Sequence, residues 1–215
     1  MADILSFSST EVDRLAATVT QTLHRGGVIA VPTETFYGLA VDPFDAQAVD
    51  RLLQVKGRGE GKPVLVLIGS LEQLPLLTST VPPAAQTLID ACWPGPLTIL
   101  FSARASLPAN LTDGTGTIGV RLTACKPLAA LLRRVGPVTG TSANRTAQPP
   151  AQTAQAVEAA IGGEIELIID AGPTPGGLPS TVVDATGAVR ILREGALGRA
   201  RIDAALRAGG FSLSL

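Results

Sequence analysis

Charge is scarce in this 215-residue chain: Asp, Glu, Lys and Arg together make up 16% of it, against about 25% in an average soluble domain. Aromatic residues make up only 3%, the net charge is −1, and there are two cysteines, one histidine and three lysines. Each shortage excludes something. Cys92 and Cys125 lie far apart with no histidine nearby, so they form neither a disulfide framework nor a zinc site. They read as two small buried thiols in a reducing cytoplasm. The lone His24 stands beside Arg25 at a predicted helix C-terminus, where a cation suits the helix dipole, and nothing near it suggests a Ser-His-Asp or Cys-His arrangement. The best apolar run, Val64 to Ile68, is far below the roughly 20 residues a membrane span needs. The N-terminus, MADILSFSST, has neither the basic region nor the apolar stretch of a signal peptide. Near-zero net charge argues against a bulk nucleic-acid coat protein, and 46% hydrophobic residues exclude a disordered chain.

What is present has a clear periodic order. Thr10 and Asp13 resemble a capping box, and Val12, Leu15, Ala16, Val19 and Leu23 then recur with helical spacing up to Gly26-Gly27. Val28 to Val31 reads as a buried strand. Asp45 can cap a second helix that runs into Lys56. Strands are expected over Val64 to Ile68, Leu97 to Phe101, Thr117 to Leu122, Val138-Thr139, Ile165 to Asp170, Thr181 to Asp184 and Val189 to Leu192. Helices are expected from Ser70, from Pro82-Pro83, over Lys126 to Val135, over Thr153 to Ile161 and over Gly198 to Ala208. Strands 181–184 and 189–192 should pair antiparallel across a short Ala-Thr-Gly turn. Helices and strands intermix without strict βαβ alternation. The pattern predicts one α/β domain over residues 1–215 with a mixed, twisted sheet and flanking helices. Ala171 to Pro179, rich in Pro and Gly, is the one candidate hinge or lid.

Two familiar motifs fail on context. Gly114-Thr-Gly116-Thr-Ile-Gly119 matches G-x-G-x-x-G, but a strand follows it where a dinucleotide fingerprint needs a helix. Gly61-Lys62 hints at a P-loop, but Lys56 occupies the place of its first glycine and Pro63 that of its Ser or Thr.

The placed charges carry more. Two of the three lysines, Lys56 and Lys62, share one glycine-rich segment with Arg58. That is either a solvated loop or a cationic loop that grips phosphate. Polar clusters follow directly on apolar strands at Pro32-Thr-Glu-Thr35, Thr117 to Arg121, Thr141-Ser-Ala-Asn144, Pro179-Ser-Thr181 and Arg193-Glu-Gly195. Hydroxyls and an amide give oriented hydrogen bonds, and Arg gives a planar fork for carboxylate or phosphate. The set suits a pocket at a sheet edge, and it holds no protein nucleophile paired with a base.

In order along the chain, Thr33-Glu-Thr-Phe-Tyr-Gly-Leu39, Lys56-Gly-Arg58, Trp93-Pro-Gly-Pro-Leu-Thr98, Gly119-Val-Arg121, Thr141-Ser-Ala-Asn144, Ser180-Thr-Val-Val-Asp184 and Leu192-Arg-Glu-Gly195 resemble the threonylcarbamoyl-AMP synthase family, the YrdC-like domain. The likeness runs from about residue 10 to about residue 197 and is similar to the short, single-domain form. It implies a YrdC-like α/β fold with a concave, positively lined sheet face. It also implies a nucleotidyltransferase that makes threonylcarbamoyl-AMP and pyrophosphate from L-threonine, bicarbonate and ATP with Mg²⁺. Partner proteins would then carry the group to the adenosine beside the anticodon in tRNA.

Carried over residue by residue, the resemblance implies that Lys56, Arg58, Lys62 and Arg193 contact the nucleotide phosphates, with Thr117 on the nucleotide side. Ser142 and Asn144 would line the junction of threonine and ATP, and Thr35, Arg121 and Ser180 would hold threonine, Arg121 by its carboxylate. Lys56, Arg58, Ser142 and Asn144 are the implied catalytic group. No dedicated carboxylate cage for a metal is evident, so Mg²⁺ would ride on the phosphates. Glu34 fits a cap or an outer ligand equally well. The chain departs from the family pattern at Leu122-Thr123, where a Pro and an acid often follow, and at Thr146-Ala147 in place of Ser-Gly. Two rival readings stand beside it. One is a paralogue that binds nucleotide or double-stranded RNA or tRNA without making the adenylate, which the scarcity of aromatics for base stacking opposes. The other is the carbamoyl-adenylate-forming domain of hydrogenase maturation proteins, normally part of a much longer chain.

Overall fold

The computed structural model describes residues 1–8, 10–57 and 64–214. Its helices form where apolar residues recur three and four apart. In α1 (Val12–His24) the side chains of Val12, Leu15, Ala16, Val19 and Leu23 are buried, and His24 is the exposed last residue. The expected capping box is absent. Glu11 holds the N-cap without a side-chain bond, and the Thr10 hydroxyl pairs with Ser8 Oγ at 2.8 Å. Short hydroxyl side chains satisfy one another locally as readily as they cap. In α2 (Ala46–Lys56) the cap is as expected: Asp45 Oδ1 accepts from Gln47 N at 2.9 Å and Ala48 N at 3.3 Å. Gly57, at φ 57°, ends that helix in a left-handed turn that suits a residue without Cβ. The cap and the glycine together fix where Lys56 emerges. Asp45→Ala should cost about 1 kcal/mol, and the midpoint of thermal unfolding should fall by roughly 2–4 °C.

The strands are β1 (Asp3–Ser6), β2 (Ile29–Val31), β3 (Gly38–Ala40), β4 (Val66–Ile68), β5 (Leu97–Ser102), β6 (Thr117–Leu122), β7 (Val138–Thr139), β8 (Thr141–Ser142), β9 (Leu167–Asp170), β10 (Thr181–Asp184) and β11 (Arg190–Arg193). Five further helices, α3 (Pro83–Cys92), α4 (Ala109–Thr112), α5 (Lys126–Val135), α6 (Ala154–Ile161) and α7 (Arg199–Ala208), and a 3-10 helix, Leu71–Leu76, complete the order. The α/β class and the mixed pairing are as expected, but the strands divide between two sheets rather than forming one. Their orders are β1-β9-β2-β3-β8 and β11-β10-β5-β6-β4-β7. The chain passes between them three times, between β3 and β4, between β9 and β10 and, with a single residue in the connection, between β7 and β8. There Thr139 N donates to Val41 O at 3.0 Å and Val41 N donates to Thr139 Oγ1 at 2.9 Å, sewing the sheets together. The expected hairpin is present, with β10 antiparallel to β11 and a register shift at Val182/Val183.

Central strands are buried on both faces, as parallel pairing requires. Ala30 of β2 and Val66 and Ile68 of β4 face a large core shared with α2, α3, α6 and α7. Ile29, Val31 and Leu67 face a smaller core against α1 and α5. The two cysteines are free, as expected, but both are half-buried rather than enclosed. The seam between the sheets is where the polar strand ends meet.

Candidate functional site

A cavity of ≈ 290 Å³ lies at this seam, lined by residues of both sheets. Thr35, Arg121, Ser142, Ser180 and Arg193, all singled out in the sequence, face it together with Thr33, Thr98 and Gly140. Gly140 is a close approach: a Cβ there would come within 2.7 Å of the Leu67 side chain. Any larger residue would push against Leu67 and Leu65, which line the cavity beside it.

Lys56 joins two of the motifs. It is 5% exposed, and its Nζ donates to Ser142 O and Asn144 O, both at 2.6 Å, with Ser142 Oγ at 3.2 Å and Asn144 Oδ1 at 3.4 Å. The backbone repeats the tie, since Thr146 N and Oγ1 both donate to Lys56 O. Asn144 Nδ2 in turn donates to Arg145 O at 2.9 Å and Gln148 O at 2.5 Å, so Asn144 shapes its loop rather than lining the cavity. Arg58 and Lys62 lie outside the described residues.

The two arginines differ. Arg121, 5% exposed, stands 3.4 Å through Nε from Glu34 Oε1. Burial pulls its pKa down, and the Glu34 charge pulls it back up. Arg193 has no acidic partner among the described residues; its Nη2 donates to Ser180 O at 2.7 Å. Burial lowers its pKa first and repulsion from Arg121 second. Ser180 Oγ is also within 3.0 Å of Thr98 Oγ1, and Thr33 Oγ1 is 3.1 Å from Thr35 Oγ1. Two guanidiniums thus face one small cavity among short hydroxyl side chains, and the one carboxylate paired with either of them, Glu34 against Arg121, does not line it. The site suits an anion. Thr117 shares a face of β6 with Arg121 by strand alternation, but lies beyond the cavity wall, where its hydroxyl pairs with Thr115 Oγ1 at 2.9 Å.

The Gly/Pro-rich segment is tied to the body at three points, and its last residue, Pro179, lines the cavity. Tyr37 Oη donates to Gly172 O at 2.9 Å, Thr174 N to Gln152 O at 2.9 Å and Gly176 N to Thr35 O at 2.7 Å. Burial, with the Asp170 charge behind it, pushes the Tyr37 pKa up to about 12, which keeps the phenol a donor. Sequence reasoning left Glu34 unassigned and passed over Thr33 and Thr98 as individual residues; the signal for all three was their place inside motifs already quoted. A larger open groove of ≈ 910 Å³ along β1 and α1 holds none of these groups. Four of its charged side chains are paired with one another, Arg51 with Glu166 and Arg14 with Glu11. Among the described residues, no three His, Cys, Asp or Glu side chains form a metal-binding group. No helix among them is long and apolar enough to cross a membrane.

The sequence profile of the Sua5/YciO/YrdC family, described as "Telomere recombination", matches residues 21–195. The chain is 39% identical over 189 or fewer residues to several relatives; among them is the threonylcarbamoyl-AMP synthase of Thiobacillus denitrificans, matched over 173 residues, 80% of this chain and 90% of that one. It superposes on the crystal structure of P. abyssi Sua5 complexed with L-threonine with a TM-score of 0.89 at 33% identity, over 95% of this chain and 61% of that one. This chain therefore spans about three-fifths of that archaeal protein. Against E. coli YciO the TM-score is 0.84 at 23% identity, over 94% of this chain and 100% of that one, a likeness of fold alone.

Proposed function

Because the chain belongs to the Sua5/YciO/YrdC family, we propose that it joins L-threonine, bicarbonate and ATP into threonylcarbamoyl-AMP, releasing pyrophosphate. The observation that carries this reading is the pair Arg121 and Arg193 facing one cavity among short hydroxyls, beside the loop that Lys56 holds. The neutral amine of threonine attacks the carbon of bicarbonate and water leaves, giving a carbamate. A carbamate oxygen then attacks the α-phosphorus of ATP, and pyrophosphate departs. Neither step needs a protein nucleophile, and no histidine or cysteine lines the described cavity. Catalysis is positioning plus stabilisation of charge developing on phosphate oxygens.

In this reading Arg121 takes the threonine carboxylate, with Thr35 and Ser180 beside it. Ser142 and Asn144 flank the junction of the two substrates. Lys56, Arg58, Lys62 and Arg193 hold the phosphates, and Thr117 lies toward the nucleoside. Mg²⁺ enters with the triphosphate as part of the substrate. In the same reading the product passes to partner proteins that modify tRNA, and the protein works in the cytoplasm. The test is pyrophosphate release from labelled ATP. Release should require threonine and bicarbonate together. Release indifferent to threonine overturns the reading, and nucleotide binding without any release favours a binding module of the same fold.

A further inference from the structure

Arg121 must meet a carboxylate from one direction, and a guanidinium on a flexible stem has no such direction of its own. The structure supplies one from behind. Glu34 sits between two cavity-lining residues, Thr33 and Thr35, yet does not line the cavity itself. Its Oε1 is 3.4 Å from Arg121 Nε, an ion pair without hydrogen-bond alignment, and neither atom has a hydrogen-bond partner among the described residues. Its Oε2 accepts a hydrogen bond from Thr123 Oγ1 at 2.6 Å.

Thr123 is itself fixed. It is 2% exposed, its N donates to Ile68 O at 3.2 Å, and its Oγ1 accepts from Cys125 N at 3.1 Å, at the start of α5. Because that oxygen already accepts from Cys125 N, its own proton is directed to Glu34. The carboxylate is thereby held in one orientation, with one oxygen left for Arg121. Among the described residues no acceptor takes up the two Nη atoms of Arg121, and Glu34 is its one acidic partner. A relay runs from the N-terminus of α5 through Thr123 and Glu34 to the guanidinium, whose unclaimed fork is the part that a carboxylate would bind bidentately.

We infer that Glu34, anchored by Thr123, is a positioning residue for threonine: it holds Arg121 by Nε so that the terminal nitrogens face the substrate carboxylate. This rests on the reading of Arg121 as the threonine carboxylate's partner. Glu34 contacts neither substrate. Its loss lets a buried guanidinium turn away, and the effect falls on threonine rather than on ATP.

The test uses the full chain and its Glu34→Gln, Thr123→Val and Thr123→Ser variants, with pyrophosphate release measured while threonine and ATP are varied separately. Glu34→Gln should raise the KM for threonine on the order of ten-fold and leave that for ATP within about two-fold. Thr123→Val, which removes one hydrogen bond, should raise the threonine KM about three-fold. Thr123→Ser keeps the hydroxyl and should behave as the wild type. Should Glu34→Gln fail to fold, the Thr123 pair decides the question. An unchanged threonine KM in Thr123→Val and in any folded Glu34→Gln, or equal rises for both substrates, overturns the inference while threonine-dependent wild-type turnover leaves the proposed function standing. Wild-type release that ignores threonine overturns that function and this inference with it.

Discussion

Lys56→Ala should lower threonylcarbamoyl-AMP formation by about a hundred-fold or more while the protein remains folded. The ammonium joins the end of α2 to the Thr141–Asn144 loop through two 2.6 Å bonds to Ser142 O and Asn144 O. It therefore sets the spacing of the two loops assigned to the triphosphate, and it supplies charge next to them. Truncation leaves two buried carbonyls without a charged donor, a cost of about 2 kcal/mol. A chain of this size would lose roughly 4–8 °C in its unfolding midpoint. That is a fraction of the roughly 5–15 kcal/mol that keeps a domain folded. Lys56→Arg should not restore turnover, because a planar guanidinium cannot occupy the point where a compact ammonium meets both carbonyls. Arg58→Ala should lose turnover too, by its place in the same motif. The measurements are the pyrophosphate assay and a thermal melt on each variant. Wild-type turnover in a folded Lys56→Ala protein would mean that the phosphate grip lies elsewhere.

The readable parts of the sequence are those whose signals are local. Both β6 and α5 begin and end where the pattern placed them, because Pro127 marks a first turn and the apolar stripe of α5 is strong. The Asp45 cap was legible for the same reason. The Thr10 capping box was not, since a sequence does not say which of two short hydroxyls will find the other. β1 carried no strand signal: its residues are largely exposed, and it exists through long-range pairing with β9. β3 is three residues beginning at Gly38, hidden in what looked like the tail of a polar loop. β1 edges the five-stranded sheet, and β3 joins β2 to β8 within it. At the site, hydroxyls and arginines were legible because they follow apolar strands. Their partnerships were not. Glu34 meets Arg121 only because β3 pairs with β8 and β4 with both β6 and β7, so neighbours in space are distant in the chain. Thr123, in sequence merely a departure from a family pattern, becomes the donor that orients Glu34.

Arg121→Gln should have the largest combined effect, because the pair it breaks is both buried and assigned to substrate. The two side chains are 6% and 11% exposed. Removing the cation leaves Glu34 charged, with Thr123 as its donor, and breaking a buried pair from one side costs about 3–5 kcal/mol. Losing a guanidinium that binds a carboxylate in a desolvated pocket should raise the KM for threonine by at least about thirty-fold. The two losses have different origins, and a second substitution separates them. Glu34→Gln placed on top of Arg121→Gln removes the stranded charge, so the double variant should melt at a higher temperature than Arg121→Gln alone. It should not regain threonine-dependent turnover, because the fork that takes the carboxylate is still missing. If activity returns together with stability, Arg121 is scaffold and the carboxylate is bound by another group, for which Arg193 is the remaining cation among the described lining residues. If stability returns and activity does not, the charge of Glu34 serves Arg121 and the charge of Arg121 serves the substrate.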